Sequence, residues 1–164
     1  MKRFDLETFN KHKDTIRNEY NRTLDNGTVI RQRKGREQYI EIIKYKDKYI
    51  EDFNSYYKNG TLKISGYFLE NDFYTGVWKE YNQEGKLIKE TDYDKGFNYT
   101  WEDLLKLLKE RKVDIKDTDN TTIRKDNGNW RFSYVKGIYI YDVIIDSKTG
   151  KVLQDAKNEF DEGS

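Results

Sequence analysis

Few side chains of this 164-residue chain have the type and spacing that catalysis requires. The chain has no cysteine and a single histidine, His12, so it can build neither a thiolate nucleophile nor a multi-histidine metal site. Asp142 and Asp146 could hold a cation together, although an aspartate that opens an Asp-Ser-Lys-Thr-Gly sequence is more typical of a turn. We therefore expect no enzymatic activity, no cofactor and no metal ion.

A basic segment contains Arg31, Arg33, Lys34 and Arg36. Such a cluster can bind the phosphates of a nucleic-acid backbone, and exposed tyrosines can stack on the bases. The whole chain carries 31 basic and 30 acidic residues, so it has no overall field that attracts nucleic acid. A solvated loop or a charge-guarded edge strand is the commoner origin of such a segment, and we expect no nucleic-acid partner.

Protein recognition has more support, because 15% of the residues are aromatic and 14 of them are tyrosines. Tyrosine and tryptophan dominate the energetics of protein interfaces. The densest acidic stretch, residues 90–94, has an aromatic residue within it and further acidic residues soon after it. The candidate partner-binding residues are Glu90, Asp92, Tyr93, Asp94, Glu102, Asp103, Tyr74 and Trp78. The structural alternative at each position is a solvated strand edge or an ordinary helix start.

The composition bounds the class of protein. Charged residues make up 37% of the chain and hydrophobic residues 35%, but the aromatic content favours a folded domain over disorder. No stretch approaches the roughly 18 apolar residues of a membrane span, and no signal peptide is recognisable at the N-terminus. We expect a cytoplasmic protein that is a monomer or a weak homodimer and does not bind membranes. The alternative that stays open is that a native leader peptide has been removed.

A repeated sequence phrase dominates the middle of the chain. Its first copy is Phe53, Tyr56, Gly60, Leu62 and Phe68, and its second copy, 25 residues later, is Trp78, Tyr81, Gly85, Leu87 and Tyr93. Each copy has an aromatic run, a glycine turn and a second run that restarts at leucine, which predicts a β-hairpin. Two hairpins in tandem predict an antiparallel meander.

The ends of the chain predict helices and further strands. The helical spacing of Phe9, Ile16 and Tyr20 predicts a short amphipathic helix over residues 4–20, with Asp5 as its cap. A second helix is predicted from Thr100, which opens a capping box with Asp103, to near Arg111. Alternation from Trp130 and an apolar run over residues 138–145 predict a half-buried strand and a central strand. Residues 151–153 would form a closing strand, and the polar tail from residue 155 would be frayed.

These elements predict an α+β fold. The expected parts are an N-terminal helix and β-meander over residues 1–97, a helix with antiparallel strands over residues 98–157, and a flexible tail over residues 158–164. Whether the two sheets are continuous stays open.

The repeated phrase resembles the MORN-repeat variant family. The matching residues are Tyr56, Gly60, Leu62, Gly76, Trp78, Tyr81, Gly85 and Leu87. The resemblance covers about forty residues, and two units are fewer than a solenoid needs to bury its faces. It implies an antitoxin-like component or a membrane-associated scaffold.

The segment from Trp101 to Leu153 resembles a PepSY-type module, a helix followed by an antiparallel hairpin. The matching residues are Trp130, Asp146, Thr149, Gly150, Lys151, Val152 and Leu153. The resemblance implies a binding or inhibitory domain without catalytic activity. Together, the two resemblances imply an immunity protein that binds and inhibits a cognate secreted toxin, with a basic effector domain as the expected partner. The alternative is a structural or envelope-associated interaction module.

Overall fold

A computed structural model describes residues 2–70 and 72–159. The chain forms two compact units, Met1–Tyr93 and Asp94–Ser164, which are called the first and the second unit. Two helices and two antiparallel sheets account for the regular structure of the described residues, which confirms the predicted α+β class. The sheets are separate: one has seven strands and the other has four.

The first unit contains a helix and a seven-stranded meander. Its elements are α1 (Leu6–His12), β1 (Glu19–Thr23), β2 (Val29–Lys34), β3 (Gln38–Lys44), β4 (Glu51–Tyr57), β5 (Leu62–Leu69), β6 (Phe73–Tyr81) and β7 (Leu87–Asp92). The strands lie in chain order, and each is antiparallel to the next. The two predicted hairpins are β4–β5 and β6–β7, so the meander prediction is confirmed.

The hairpin turns depend on glycine. Gly60 and Gly85 have φ values of +81° and +82°, in the left-handed region where a side chain is strained. Each turn is also stabilised by a preceding asparagine: the Asn59 side chain accepts from the Thr61 N–H, and the Asn82 side chain accepts from the Lys86 N–H. The repeated glycine, together with an asparagine placed one residue before Gly60 and three residues before Gly85, therefore specifies each turn locally.

The N-terminal helix is shorter than predicted. Asp5 caps it, accepting a hydrogen bond of 2.9 Å from the Thr8 N–H, as expected. Beyond His12 the prediction is wrong, because the Asp14 carboxylate accepts from the N–H groups of Ile16 and Arg17 and forms a turn. Ile16 is 91% exposed, and the chain continues directly into β1.

The helix packs on one face of the sheet through an aromatic core. Phe4 stacks on Tyr39 with ring centroids 4.6 Å apart, and Phe9 meets Tyr39 edge-on at 5.5 Å. Tyr56 and Leu62 complete this buried cluster. The Tyr56 hydroxyl donates to the nearly buried Glu41 at 3.0 Å, so the polar tip of the ring is satisfied within the core.

The basic segment is neither a loop nor an edge strand. Arg31, Arg33 and Lys34 lie in β2, which pairs with β1 on one side and with β3 on the other. Only Arg36 lies in the following turn. The prediction missed this because charged strands are typical of edges, whereas here β1 adds a further strand outside β2.

The second unit contains one helix and a four-stranded sheet. Its elements are α2 (Trp101–Glu110), β8 (Thr121–Asp126), β9 (Asn129–Lys136), β10 (Tyr139–Asp146) and β11 (Val152–Glu159), and the strand order is β11-β10-β9-β8. The predicted capping box is present: the Asp103 N–H donates to the Thr100 hydroxyl, and the Asp103 carboxylate accepts from the Thr100 N–H.

One face of this sheet carries the second core. Alternate residues of β9, among them Trp130 and Phe132, are buried, as predicted. The helix packs against them, since the Trp101 and Trp130 rings lie 6.3 Å apart. β10 lies between β9 and β11 and is a central strand, as predicted, although only Val143 and Ile145 are fully buried along it.

The predicted frayed tail from residue 155 is wrong as far as Glu159. Residues 152–159 form β11, in which Asp155 lies opposite Val143. Arg111 holds both carboxylate oxygens of Asp155, at 3.0 and 2.6 Å. Strand pairing and this ion pair order a polar segment that has no hydrophobic signal of its own. The rest of the predicted tail, residues 160–164, lies outside the described residues.

Candidate protein-binding groove

The face of the seven-stranded sheet opposite α1 forms an open groove. Successive side chains of a strand point to opposite faces of the sheet. Tyr39 and Tyr56 lie on the side of α1. The residues on the other side are therefore Ile40 and Ile42 of β3 and Phe53 and Ser55 of β4. The groove has a volume of about 650 Å³. Its lining residues are Arg33, Ile42, Phe53, Ile64, Phe68, Leu69, Glu70, Asp72, Phe73, Tyr74 and Trp78.

An aromatic cluster lies on this face of the sheet, and four of its five rings line the groove. It consists of Phe53, Phe68, Tyr74, Trp78 and Tyr93, and this set is called the aromatic cluster below. Trp78 is at its centre: its ring stacks on Phe53 at 5.4 Å and contacts Tyr74 at 4.4 Å and Tyr93 at 5.8 Å. Tyr74 and Tyr93 also meet edge-on at 5.2 Å, and Phe68 meets Phe53 at 6.0 Å. The rings therefore support one another in fixed orientations.

A glycine makes room for the central ring. Gly66 of β5 lies under Trp78, and a Cβ atom at this position would be 2.1 Å from the nearest ring atom. The indole N–H of Trp78 also donates a 2.9 Å hydrogen bond to the Tyr67 carbonyl oxygen. The ring is thus held flat against the backbone of the neighbouring strand, while its polar atom is satisfied.

A charged cluster lies beside the groove. Glu51 is only 2% exposed. Its carboxylate accepts a hydrogen bond of 2.9 Å from the Arg31 guanidinium and forms an ion pair of 3.3 Å with the Lys44 ammonium. Arg31 donates to Glu70 as well, at 2.9 Å, and this hydrogen bond raises the pKa of Arg31 above its ordinary value. The carboxylates of Glu51 and Glu70 therefore neutralise Arg31, and the hydrogen bond from Arg31 fixes the position of Glu70 beside the groove.

The rim combines both signs of charge around an apolar floor. Arg33 is exposed and lies two residues from Arg31 on the same face of β2, where it lines the groove. Glu70 and Asp72 line it from the segment between β5 and β6. Apolar and aromatic rings enclosed by a few polar groups are the features of a site that binds another molecule by shape and contact.

The structure brings three of the predicted partner-binding residues together. Their rings contact one another within the aromatic cluster, in which Tyr74 and Tyr93 are exposed and Trp78 is half-buried. Glu90 lies in β7, where its carboxylate forms a 3.2 Å ion pair with Lys79 of β6. Asp92 ends β7 opposite Val77. Of the acidic residues predicted in the first unit, Glu90 is thus already engaged by a neighbouring strand.

The other predicted residues belong to the second unit. Asp94 forms an ion pair with Lys125, which also lies over the Phe97 and Trp130 rings. Glu102 and Asp103 are in the first turn of α2. The backbone hydrogen bond from Thr100 lowers the pKa of Asp103 below its ordinary value. Asp94 and Asp103 therefore have structural partners within their own unit.

Sequence reasoning did not single out the other groove residues. Phe53 and Phe68 appeared only as members of the repeat, and Ile42, Ile64 and Arg33 were not linked to them. A signal was available in the period-two alternation of β2 to β6, which assigns these residues to one face once the strands are paired. The pairing register, however, comes from the folded sheet.

The described residues contain no group of three or more His, Cys, Asp or Glu side chains arranged to hold a metal ion. In residues 2–70 and 72–159, no helix has the length and apolar character needed to cross a membrane. Comparisons with protein-family models, curated proteins and solved structures found no match.

Proposed function

We propose that this chain is an immunity protein that binds a cognate secreted toxin through the groove of the first unit and inhibits it by occlusion. The observation that carries the proposal is the aromatic cluster, in which five rings are linked by a continuous set of contacts and four of them line the groove. The resemblances to antitoxin-like repeats and to an inhibitory module support the same function.

The cluster has the properties of a binding hot spot. Trp78 is half-buried and held by Gly66, Phe53 and the Tyr67 carbonyl, so a partner that contacts it does not have to immobilise the ring. Tyr74 is 48% exposed and presents its ring at the groove's side. Such preorganised aromatic residues contribute most of the binding energy in many protein interfaces.

The partner's contact surface should combine an apolar or aromatic side chain with basic neighbours. The floor of the groove accepts the apolar group, and the carboxylates of Glu70 and Asp72 on the rim attract the basic ones. Asp92 of β7 adds a further carboxylate to the same unit, whereas the charge of Glu90 is balanced by Lys79. A basic effector domain fits this chemistry, and a bound inhibitor of this size would block access to its active site.

The test is co-expression with the secreted toxin encoded beside the native gene. We expect the wild-type chain to restore growth and Trp78→Ala to lose protection, with binding weakened about 30-fold or more, as for a hot spot of about 2 kcal/mol. Tyr74→Ala should weaken protection as well. Tyr67→Ala is its matched control, because Tyr67 is 47% exposed but lies on the opposite face of the sheet.

Two outcomes separate the parts of the proposal. If the wild-type chain binds the toxin but Tyr67→Ala and Tyr74→Ala behave alike, the groove assignment fails while the immunity function stands. If the wild-type chain neither binds nor protects, the immunity function fails, and the alternative of an envelope-associated interaction module gains support. Replacing Glu90 and Asp92 with lysine tests the acidic residues of the first unit separately and should slow association in a salt-dependent way.

A further inference from the structure

The outer edge of β11 is a long strand edge without a neighbour among the described residues. Within this part of the chain, β11 pairs only with β10. It has eight residues, whereas the other outer strands of the two sheets, β1, β7 and β8, have five, six and six. A long unpaired edge is a template for another strand, because its outward N–H and C=O groups are open to pairing.

The sequence of β11 is complementary to itself when it runs antiparallel about Ala156. In that register Asp155 lies opposite Lys157 of the other copy, Gln154 lies opposite Asn158, and the two Ala156 residues face each other. Opposite charges stabilise directly facing positions, the two amides can hydrogen-bond, and alanine leaves room at the axis. The complementary part of this register covers residues 154–158, and Leu153, which lies at the bulge of β11, would face Glu159 at either end.

Contacts within the chain already order the two charged side chains. Arg111 of α2 holds the Asp155 carboxylate through two hydrogen bonds. The Lys157 ammonium lies 3.7 Å from the centre of the Tyr139 ring. A carboxylate has about four acceptor sites, so Asp155 can hold Arg111 and still accept from a lysine of a second copy. Pairing would therefore cost little side-chain entropy at these positions.

We propose that β11 pairs antiparallel with β11 of a second copy about a two-fold axis at Ala156, which joins two four-stranded sheets into one eight-stranded sheet. This homodimer interface is independent of the toxin-binding proposal. Both copies of α2 would lie on the same face of the joined sheet, because a two-fold axis perpendicular to a sheet preserves its faces.

The β7 edge of the other sheet is a weaker candidate for self-pairing. Its central charges are engaged within the chain, as those of β11 are: Lys89 pairs with Glu80 and Glu90 pairs with Lys79, both at 3.2 Å, so length and the central residue are what separate the two edges. It is also two residues shorter than β11. The longer strand with a small residue at its centre is therefore the better site for a second copy.

A single-cysteine variant tests the register, because the chain contains no other cysteine. In Ala156→Cys, the two introduced thiols would face each other with Cα atoms about 4.5–5.5 Å apart, within the range that a disulfide spans. We expect mild oxidation to convert most of the protein to a covalent dimer on non-reducing gels. The wild-type chain should show a concentration-dependent increase in mass by sedimentation.

The matched control is Asn158→Cys, on the same face of the same strand. Residue 158 lies opposite residue 154 of the other copy, so the two introduced thiols would have Cα atoms about 14 Å apart and could not be joined. Equal cross-linking of Ala156→Cys and Asn158→Cys would overturn the register. A wild-type chain that stays monomeric at all concentrations, together with no cross-linking of Ala156→Cys, would overturn the dimer.

Charge reversal tests the pairing of Asp155 with Lys157. Added to Ala156→Cys, Lys157→Glu places like charges opposite each other at two symmetric positions and should lower the cross-linking rate about fivefold or more. Lys148→Glu changes the net charge equally but lies in the turn before β11, so it should leave the rate unchanged. Equal rates in the two variants would contradict the proposed facing pair.

Discussion

The two units use the same aromatic residue in opposite ways. In the second unit, Trp130 is 1% exposed and packs with Phe97 and Trp101 beneath α2. In the first unit, Trp78 packs with rings of its own sheet face and stays half-buried in an open groove. The comparison shows that the element covering a ring, more than the ring itself, decides between a structural and a binding role.

The helices explain the difference. The ten residues of α2 place Trp101, Leu104 and Leu108 against one face of a four-stranded sheet. The seven residues of α1 contribute Phe9 to the core on one side of a seven-stranded sheet, and the groove lies on the other side. The smaller sheet therefore has its aromatic face under a helix, whereas the larger sheet has an aromatic face that α1 does not cover.

The largest effect is expected from a matched pair of tryptophan substitutions. Trp130→Ala empties a buried site and removes the hydrogen bond from its indole N–H to the Tyr99 carbonyl, so it should lower the free energy of unfolding by about 3–5 kcal/mol. Trp78→Ala should cost about 1–2 kcal/mol, because its ring is partly solvated already. Urea unfolding followed by circular dichroism measures both, and equal losses would refute the contrast between the two units.

A smaller effect is expected at the glycine under the groove. Gly66→Ala forces the Trp78 ring away from β5 and should lower the free energy of unfolding by about 1–3 kcal/mol. Gly35→Ala is the control, since a Cβ atom there would meet its nearest neighbour at 3.4 Å, an ordinary contact. In a Trp78→Ala background, Gly66→Ala should cost much less than it does in the wild-type chain, and a purely additive double variant would show that the ring is not the cause.

The smallest effect concerns the cap that positions α2. The hydrogen bond from the Thr100 N–H lowers the pKa of Asp103 in the folded chain. The ionised carboxylate therefore stabilises the fold fully at a pH above the pKa that Asp103 has in the unfolded chain. This stabilisation is lost as the pH falls through the pKa of the folded chain. Thr100→Val removes the hydroxyl that donates to Asp103 at 2.9 Å and should raise this pKa. It should also destabilise the unit by about 1 kcal/mol.

Carboxyl NMR titration of the wild-type chain and of Thr100→Val measures the Asp103 pKa directly. Asp146 serves as the internal reference, because its pKa is lowered by a backbone hydrogen bond from Lys148 in a separate turn. An unchanged Asp103 midpoint in Thr100→Val would show that the hydroxyl does not contribute to the cap.

Local signals in the sequence predicted the elements that depend on neighbouring residues. The Thr100 capping box, the Asp5 cap and the glycine turns at Gly60 and Gly85 all satisfy backbone groups within a few residues. The predictions failed where pairing with a strand distant in sequence overrides the local pattern. Residues after His12 joined a sheet instead of a helix, and the polar segment after residue 154 became β11 through pairing with β10.

The residues of the candidate site likewise divide into those that the sequence predicted and those that only the pairing of distant strands brought together. Tyr74, Trp78 and Tyr93 were predicted because aromatic residues are typical of interfaces, and the structure places their rings in contact. Phe53 and Phe68 join them only because the register of β4, β5 and β6 brings them to the same face. The predicted acidic residues, by contrast, are distributed over both units.

The sequence by itself determined the elements that caps, turns and alternation specify, since these signals act over a few residues. It determined the α+β class and the tandem hairpins in the same way. The tertiary structure alone decided that there are two separate sheets, that α2 buries one set of rings, and that another set lines an open groove. The physical reason is that burial and register depend on which distant strands and helices meet, and no local pattern encodes that choice.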